Sequence, residues 1–220
     1  MGDGKLTRIY FIRHVQASGN INRIFQGQID TDVSEQGRIQ MNDLAKRFGD
    51  VPLDAIYVSP LKRAMATAKA VQGERNISLI ADDRLKEIGA GIWEGVPLDT
   101  IGEKYADDLE VWRTRLWDFQ VEGSESCRGV YARTAEALDD IIKSNPGKTV
   151  AVVSHGCSLR NLLCYAMGYK IEEMDKVSWL GNASITQMIF EGGAPGQLQY
   201  INDQSHITPE TILQKPNILK

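Results

Sequence analysis

Short apolar runs that alternate with amphipathic helical patterns constrain the fold of this chain more than any other feature. Residues 9–12, 55–58 and 149–154 are apolar or β-branched runs, which is typical of strands buried on both faces of a sheet. Patterns with apolar residues every three or four positions follow two of them, over 61–72 and 159–167. This alternation predicts an α/β fold, a three-layer α/β/α sandwich around a mostly parallel sheet.

Two segments depart from this alternation. Residues 185–190 and 198–201 flank a turn rich in glycine and proline, and they predict a terminal hairpin. Residues 97–126 have a helical pattern and separate two strand–helix units. Because ligands bind at the carboxyl edge of such sheets, we expect this segment to form a small helical cap over that edge. The cap would be part of a single domain spanning residues 1–220.

Composition and charge exclude several classes of partner. The chain has 220 residues and a net charge of −4, so it has no basic field to attract nucleic acid or an anionic membrane. No apolar run approaches the roughly 20 residues of a transmembrane helix, and the N-terminus has no hydrophobic signal region. No C-x-x-C pair occurs among the cysteines, which are Cys127, Cys157 and Cys164. This pattern indicates free thiols in a reducing compartment. We therefore expect a cytoplasmic protein that binds neither nucleic acid nor membrane.

Several catalytic motifs fail on spacing. Residues 147–149 read G-K-T, like the end of a nucleotide-binding P-loop, but Ile142 stands where that loop needs glycine. A P-loop also follows a strand, whereas this triplet precedes one. The three histidines show no H-x-H or H-E-x-x-H spacing, which argues against a zinc site. The serine-hydrolase elbow G-x-S-x-G is absent as well.

Arginine and histidine residues stand where the predicted strands end. Arg13 and His14 follow the first strand, Arg63 opens the helix after the second, and His155 follows the strand at 149–154. The carboxyl ends of parallel strands meet at one edge of a sheet, so these side chains should converge. Two arginines and two histidines form a site for an oxyanion, and the planar guanidinium matches phosphate.

Phosphoryl transfer to an imidazole would divide the work among these side chains. It needs a neutral ring nitrogen aimed at phosphorus, cations on the equatorial oxygens, and an acid for the leaving oxygen. His14 can provide the nitrogen, while Arg13, Arg63 and His155 can provide the cations. Glu87, in the loop after a third β-like run, is the candidate acid. Other carboxylates nearby leave that choice open: Asp82, Asp83 and Glu94.

The ordered set of motifs resembles the histidine phosphatase superfamily, the phosphoglycerate-mutase-like proteins. The segment R-H-V-Q-A-S-G-N at 13–20 stands where that family has R-H-G-E-[ST]-x-x-N. It is followed by S-P-L-K-R-A at 59–64, L-K-E at 85–87, G-I-W-E-G at 91–95 and S-H-G at 154–156. Each motif is weak alone, but their order and spacing match over nearly the whole chain.

This resemblance implies a mechanism and a set of site residues. His14 would become phosphohistidine, and Glu87 would protonate the leaving oxygen and then activate water. The implied catalytic residues are Arg13, His14, Arg63, Glu87 and His155. The residues implied to bind the phosphoryl group or line the pocket are Arg13, Asn20, Gln26, Gly27, Arg63, His155, Gly156 and Cys157. The resemblance implies no metal, no organic cofactor and a small phosphorylated metabolite as substrate.

Two positions depart from the family motif. Val15 stands where the motif has a glycine, and a valine forbids positive φ and adds bulk beside the nucleophile. Ala17 stands where the motif has a hydroxyl residue. The expected function is a phosphomonoesterase of the phosphatase branch. Two alternatives stay open, a phosphoglycerate mutase and a catalytically weak phospholigand-binding protein. The natural substrate is not specified, and a homodimer is compatible with the sequence.

Other residues with chemical potential have plainer interpretations. The tryptophans, Trp93, Trp112, Trp117 and Trp179, are expected to pack in the core or the cap rather than to contact substrate. Cys157 would stand at a helix N-terminus, where a thiol can be reactive, but a bystander role is favoured.

Overall fold

A six-stranded sheet forms the centre of the computed structural model, which describes residues 5–212. The strands are β1 (Leu6–Arg13), β2 (Ala55–Val58), β3 (Leu79–Ala81), β4 (Thr149–Ser154), β5 (Ile185–Glu191) and β6 (Gln197–Asp203). Across the sheet their order is β3-β2-β4-β1-β5-β6. Neighbours among the first four pair in parallel, whereas β5 is antiparallel to both β1 and β6. The predicted mostly parallel sheet and terminal hairpin are confirmed.

Helices connect the strands at most crossovers. The α-helices of residues 5–212 are α1 (Ser18–Ile21), α2 (Glu35–Arg47), α3 (Lys62–Gln72), α4 (Leu98–Lys104), α5 (Ala106–Thr114), α6 (Cys127–Ser144) and α7 (Gly156–Ala166). Short 3₁₀ turns occupy Asp83–Leu85, Gly91–Trp93, Leu116–Asp118, Ile171–Lys176 and Pro209–Thr211. Within the part of the chain described here, no helix has the length and apolar character needed to cross a membrane.

Side chains that alternate along the strands build a separate core on each face of the sheet. On one face, Ile9 and Phe11 of β1 are buried with apolar residues of α6 and α7. On the other face, Tyr10 and Ile12 are buried with residues of α2 and α3. The sheet is thus the middle layer between two layers of helices, and the predicted three-layer α/β/α fold is confirmed.

The predicted cap segment is helical, as its pattern indicated. It contains α4, α5 and the turn Leu116–Asp118. Trp112 of α5 packs against Phe25, Phe119 and Trp179, with ring centroids 5.1, 4.8 and 5.6 Å away. That the segment works as a cap within a single domain stays a prediction.

The hydrogen bonds at the carboxyl edge place three strand ends side by side. The N–H of His14 donates to the Ser154 carbonyl at 2.9 Å, and the N–H of Ser59 donates to the Val153 carbonyl at 3.0 Å. The parallel ladders therefore continue one residue past β1 and β2. Because β2, β4 and β1 are consecutive in the sheet, the residues after all three strands share one edge.

Candidate active site

A cavity of about 360 Å³ opens at this edge of the sheet. Arg13, His14 and Arg63 line it, together with Glu87. His155 is completely buried and lies against His14, with the two ring centroids 5.1 Å apart, but it is not among the residues that line the cavity. The structure therefore brings the five predicted catalytic residues together, with His155 behind His14.

The local contacts of His14 determine which of its nitrogens is free. The side chain is 2% exposed, and its Nδ1 lies 2.7 Å from the Val15 carbonyl oxygen. A carbonyl only accepts, so Nδ1 must carry the proton, and the neutral ring then has its lone pair on Nε2. Burial, followed by the charges of Arg63 and Arg13, holds the pKa of His14 well below its ordinary value of 6.5. The ring is therefore neutral at physiological pH, the form that a nucleophile requires.

Both arginines are held by backbone carbonyls. Arg63 donates from Nη1 to the Ile29 carbonyl at 2.7 Å and from Nη2 to the Gly27 carbonyl at 2.8 Å. Arg13 donates from Nη1 to the Leu180 carbonyl. In both residues Nε is buried and has no hydrogen-bond partner within residues 5–212. Burial lowers the pKa of both side chains, but a guanidinium stays charged in proteins, so two oriented cations face the cavity.

His155 differs from its expected role as a cation. Its Nε2 lies 2.7 Å from the Ser59 hydroxyl, and its Nδ1 is buried without a partner in the described part of the chain. Burial, and then the charges of Arg63, His14 and Arg13, hold its pKa well below 6.5. The sequence-based assignment of a positive His155 is wrong, because another buried positive charge beside two arginines is unfavourable. It can offer a neutral N–H or lone pair instead.

Glu87 lies at the N-terminus of α7. Its Oε2 accepts from the Cys157 N–H at 3.2 Å, and its Oε1 accepts from the Ser158 N–H and the Ile88 N–H, both at 3.0 Å. These bonds hold the carboxylate in the wall of the cavity. The alternative acids point elsewhere: Asp82 bonds Arg84, Asp83 pairs with Lys86, and Glu94 accepts from the Gln28 and Ala90 N–H groups.

The other predicted binding residues also line the cavity. They are Asn20, Gln26, Gly27, Gly156 and Cys157. Gly27 has φ +50, and a Cβ there would lie 2.4 Å from Oε1 of Glu94, so this position requires glycine. At Gly156 a Cβ would lie 3.3 Å from Cζ of Arg13, which explains how that guanidinium can approach the start of α7. The Cys157 N–H donates to Oε2 of Glu87.

The thiol of Cys157 is not an activated group, despite its position in the first turn of α7. A hydrogen bond with Cys127, together with burial, raises its pKa well above the ordinary value of 9.0. The uncharged thiol is the less reactive form. The bystander role that the sequence favours is consistent with this environment.

Sequence reasoning missed several contributors to the site. Leu180 supplies the carbonyl that holds Arg13, and Asn182 donates from Nδ2 to the His14 carbonyl at 3.0 Å. No side-chain pattern reveals a backbone carbonyl from a distant loop. Trp112 and Trp179 line the cavity, so the expectation that the tryptophans serve packing alone was incomplete.

Val15, the main departure from the family motif, is accommodated by the core. The backbone of Val15 does not have the positive φ that would require a glycine. Its side chain is 0% exposed and belongs to the core on the sheet face that packs against α2 and α3. Its N–H donates to Thr67 Oγ1 at 3.0 Å. The expected bulk beside the nucleophile is therefore not found in the cavity. Ala17 is also buried, and its N–H donates to Oδ1 of Asn20 at 2.9 Å.

Replacing Val15 with glycine should destabilise the fold. Loss of the buried side chain and the added backbone entropy should lower the free energy of unfolding by about 2–4 kcal/mol. Urea denaturation measures this change, and Ile39→Ala, on an exposed side chain, should change it by no more than about 0.5 kcal/mol. Unchanged stability with a raised kcat/KM would mean that Val15 obstructs the site instead.

The neutral histidines predict a stability that depends on pH. His14 and His155 have folded-state pKa values below 6.5, so under acidic conditions the unfolded chain binds more protons than the folded one. The free energy of unfolding should therefore fall as the pH drops, by about 1 kcal/mol per histidine between about pH 6.5 and about pH 5.5. Denaturant titrations at both pH values test this. Between these two pH values, His14→Gln should lose less free energy of unfolding than the wild type. An equal loss would contradict the assignment of a neutral His14 in the folded state.

Known proteins share the sequence of this chain over most of its length. The sequence profile of the histidine phosphatase superfamily (branch 1) matches residues 9–204. Phosphoserine phosphatase 1 of Hydrogenobacter thermophilus is 33% identical over 168 residues, which is 76% of this chain and 80% of that protein. A probable phosphoglycerate mutase, GpmB of Cronobacter sakazakii, is 30% identical over 190 residues, which is 84% of this chain and 86% of that protein.

The solved structures show the same relationship. YhfR of Bacillus stearothermophilus superposes with a TM-score of 0.86 at 31% identity, covering 92% of this chain and all of that one. The family profile and the solved structure therefore both match nearly the whole length of the chain. The resemblance predicted from the motifs is confirmed, and the chain belongs to the histidine phosphatase superfamily (branch 1).

Proposed function

We propose that this chain is a metal-independent phosphomonoesterase whose nucleophile is Nε2 of His14. The observation that carries the proposal is the geometry around that ring: Nδ1 lies 2.7 Å from the Val15 carbonyl oxygen, which leaves the lone pair on Nε2. Two arginines that backbone carbonyls hold in place line the same cavity. The buried Nε atoms of Arg13 and Arg63, without partners in residues 5–212, support an anion as ligand.

The proposed reaction has two steps. In the first, His14 Nε2 attacks phosphorus, the ester P–O bond breaks, and the leaving oxygen takes a proton from Glu87. In the second, Glu87 removes a proton from water, the water oxygen attacks phosphorus, and the P–N bond breaks to release inorganic phosphate. Arg13 and Arg63 stabilise the charge on the equatorial oxygens in both steps. His155 can hydrogen-bond the phosphoryl group or hold the His14 ring.

The family and its named relatives support the class of reaction and substrate. The chain is a phosphatase of the histidine type, and the relative named a phosphoserine phosphatase supports a small phosphorylated metabolite as substrate. The mutase alternative keeps one support, the relative named a probable phosphoglycerate mutase. The alternative of a catalytically weak binding protein rested on Val15 and Ala17, and both are buried in the fold.

A simple assay tests the proposal against the mutase. The protein should convert p-nitrophenyl phosphate into nitrophenolate and inorganic phosphate in equal amounts, and EDTA should not change the rate, because the cations are arginines. With 3-phosphoglycerate, a phosphatase releases inorganic phosphate, whereas a mutase returns an isomer and releases almost none. Chelator-sensitive turnover that a divalent metal restores would refute the metal-independent mechanism.

A further inference from the structure

In addition to the phosphate-binding residues, the cavity is lined by a set of apolar side chains that we call the apolar wall. It consists of Ile24, Phe25, Leu98, Trp112, Trp179 and Leu180. Four of them are core residues, with Phe25 at 8% exposed and the other three less. The cavity of about 360 Å³ is within the usual range for small-molecule sites. It therefore has room for a leaving group as well as the phosphoryl group.

The charged groups that line the cavity are already engaged. Arg13 and Arg63 are the proposed phosphate ligands, and Arg23 forms an ion pair with Asp99, with Nη2 and Oδ1 2.9 Å apart. Within residues 5–212, Glu87 is the only acid in the lining. A carboxylate or ammonium on the leaving group would be buried without its own counter-ion, which is far more costly than burying an uncharged alcohol.

The aromatic part of the apolar wall is held in place from several sides. Trp112 and Trp179 stack with an interplanar angle of 21°, and Phe25 meets Trp112 edge-on at 81°. The guanidinium of Arg160 lies 4.6 Å from the Trp179 ring and donates to the Val177 carbonyl at 2.8 Å. A preorganised aromatic surface of this kind favours an apolar or aromatic ligand.

We propose that the preferred substrates are phosphate monoesters of uncharged, apolar alcohols, with arylalkyl phosphates as the best representatives. This inference rests on the proposed hydrolase function. It separates the chain from the relative named for phosphoserine, because phosphoserine carries both a carboxylate and an ammonium group next to the ester. The apolar wall and the engaged arginines oppose such a leaving group and favour one that binds through its hydrocarbon part.

Four alkyl esters test this preference: 2-phenylethyl phosphate, ethyl phosphate, O-phosphoserine and 3-phosphoglycerate. Because the serine hydroxyl is more acidic than phenylethanol, leaving-group chemistry alone would favour phosphoserine. Phosphate release should show a kcat/KM for 2-phenylethyl phosphate about 10–100-fold above that for phosphoserine. An equal or higher kcat/KM for phosphoserine or 3-phosphoglycerate would overturn the proposal.

Variants of the wall test its part in the preference. Trp179→Ala should lower kcat/KM for 2-phenylethyl phosphate by about tenfold and for ethyl phosphate by less than about threefold, since only the larger ester contacts the ring. Trp117→Ala, on a half-buried tryptophan outside the cavity lining, is the matched control and should change neither. Equal losses on both esters in Trp179→Ala would overturn the role of the wall.

The exposed ion pair needs a separate test, because Arg23 could exchange Asp99 for a substrate carboxylate. Arg23→Gln should leave the order of the four substrates unchanged. A selective loss of phosphoserine turnover in this variant would show that Arg23 binds a carboxylate, and it would overturn the proposal.

The same assays separate this inference from the hydrolase function on which it rests. If phosphoserine is the better substrate and its hydrolysis requires His14, only the preference for apolar alcohols fails. If no ester is hydrolysed, or if His14→Ala hydrolyses them as fast as the wild type, the proposed function fails first.

Discussion

His14→Ala is expected to lower kcat by about 10⁴-fold or more, because removal of the nucleophile abolishes the covalent pathway. The rate of nitrophenolate release from p-nitrophenyl phosphate measures the loss. Incubation with a radiolabelled phosphoester, stopped by alkaline denaturation, should also give a labelled phosphoprotein in the wild type alone, and its label should be labile to acid and stable to base, as expected for a P–N bond. Retained turnover in the alanine variant would eliminate the phosphohistidine mechanism.

A loss of activity in His14→Ala must be distinguished from a loss of structure. The variant should keep the wild-type circular dichroism spectrum and unfold cooperatively. The His14 ring lines the cavity and lies against His155, and it is not part of the cores on the two sheet faces. His206→Ala is the matched control, because His206 is half-buried and is not in the cavity lining. Its kcat should stay close to that of the wild type.

Glu87→Gln is expected to affect substrates according to their leaving groups. An alkoxide needs a proton as the P–O bond breaks, so an alkyl phosphate should lose about 10²–10⁴-fold in rate. Nitrophenolate leaves without protonation, so the phosphorylation step with p-nitrophenyl phosphate should suffer far less. If Glu87 also activates water, the variant should show a burst of nitrophenolate followed by slow turnover. Rapid-mixing absorbance measurements resolve the two phases.

The control for Glu87→Gln uses a neighbouring acid. Asp83→Asn changes an exposed carboxylate that pairs with Lys86 at 3.0 Å and does not line the cavity, so both substrates should keep their rates. Equal losses on both substrates in Glu87→Gln without a burst would remove Glu87 from the chemistry. Its remaining role would then be to hold the start of α7 through the N–H groups of Cys157 and Ser158.

The position of the site could be predicted because it depends on local patterns and on one topological rule. The apolar runs that became β1, β2 and β4 are short and buried on both faces, and such strands pair in parallel. Arg13 is the last residue of β1, and His155 follows β4 directly. Parallel pairing then brings residues that are more than a hundred positions apart to the same edge, whatever side chains lie between them.

The protonation states could not be predicted in the same way. Sequence reasoning treated His155 as a cation, but burial and two neighbouring arginines keep it neutral. A pKa depends on the desolvation of the group and on charges within a few ångströms, and both are properties of the assembled site. The tautomer of His14 is a similar case, because it follows from a contact with the Val15 carbonyl.

The sequence by itself determined the fold class, the family and the residues that meet at the sheet edge, because periodicity and motif order are properties of the chain. Only the tertiary structure decided that Val15 packs into the core, that the Leu180 carbonyl holds Arg13, and that Trp179 lines the cavity. The physical reason is the same in each case. The direction of a side chain and the partner of a backbone carbonyl depend on contacts between segments far apart in sequence, and no local pattern encodes those contacts.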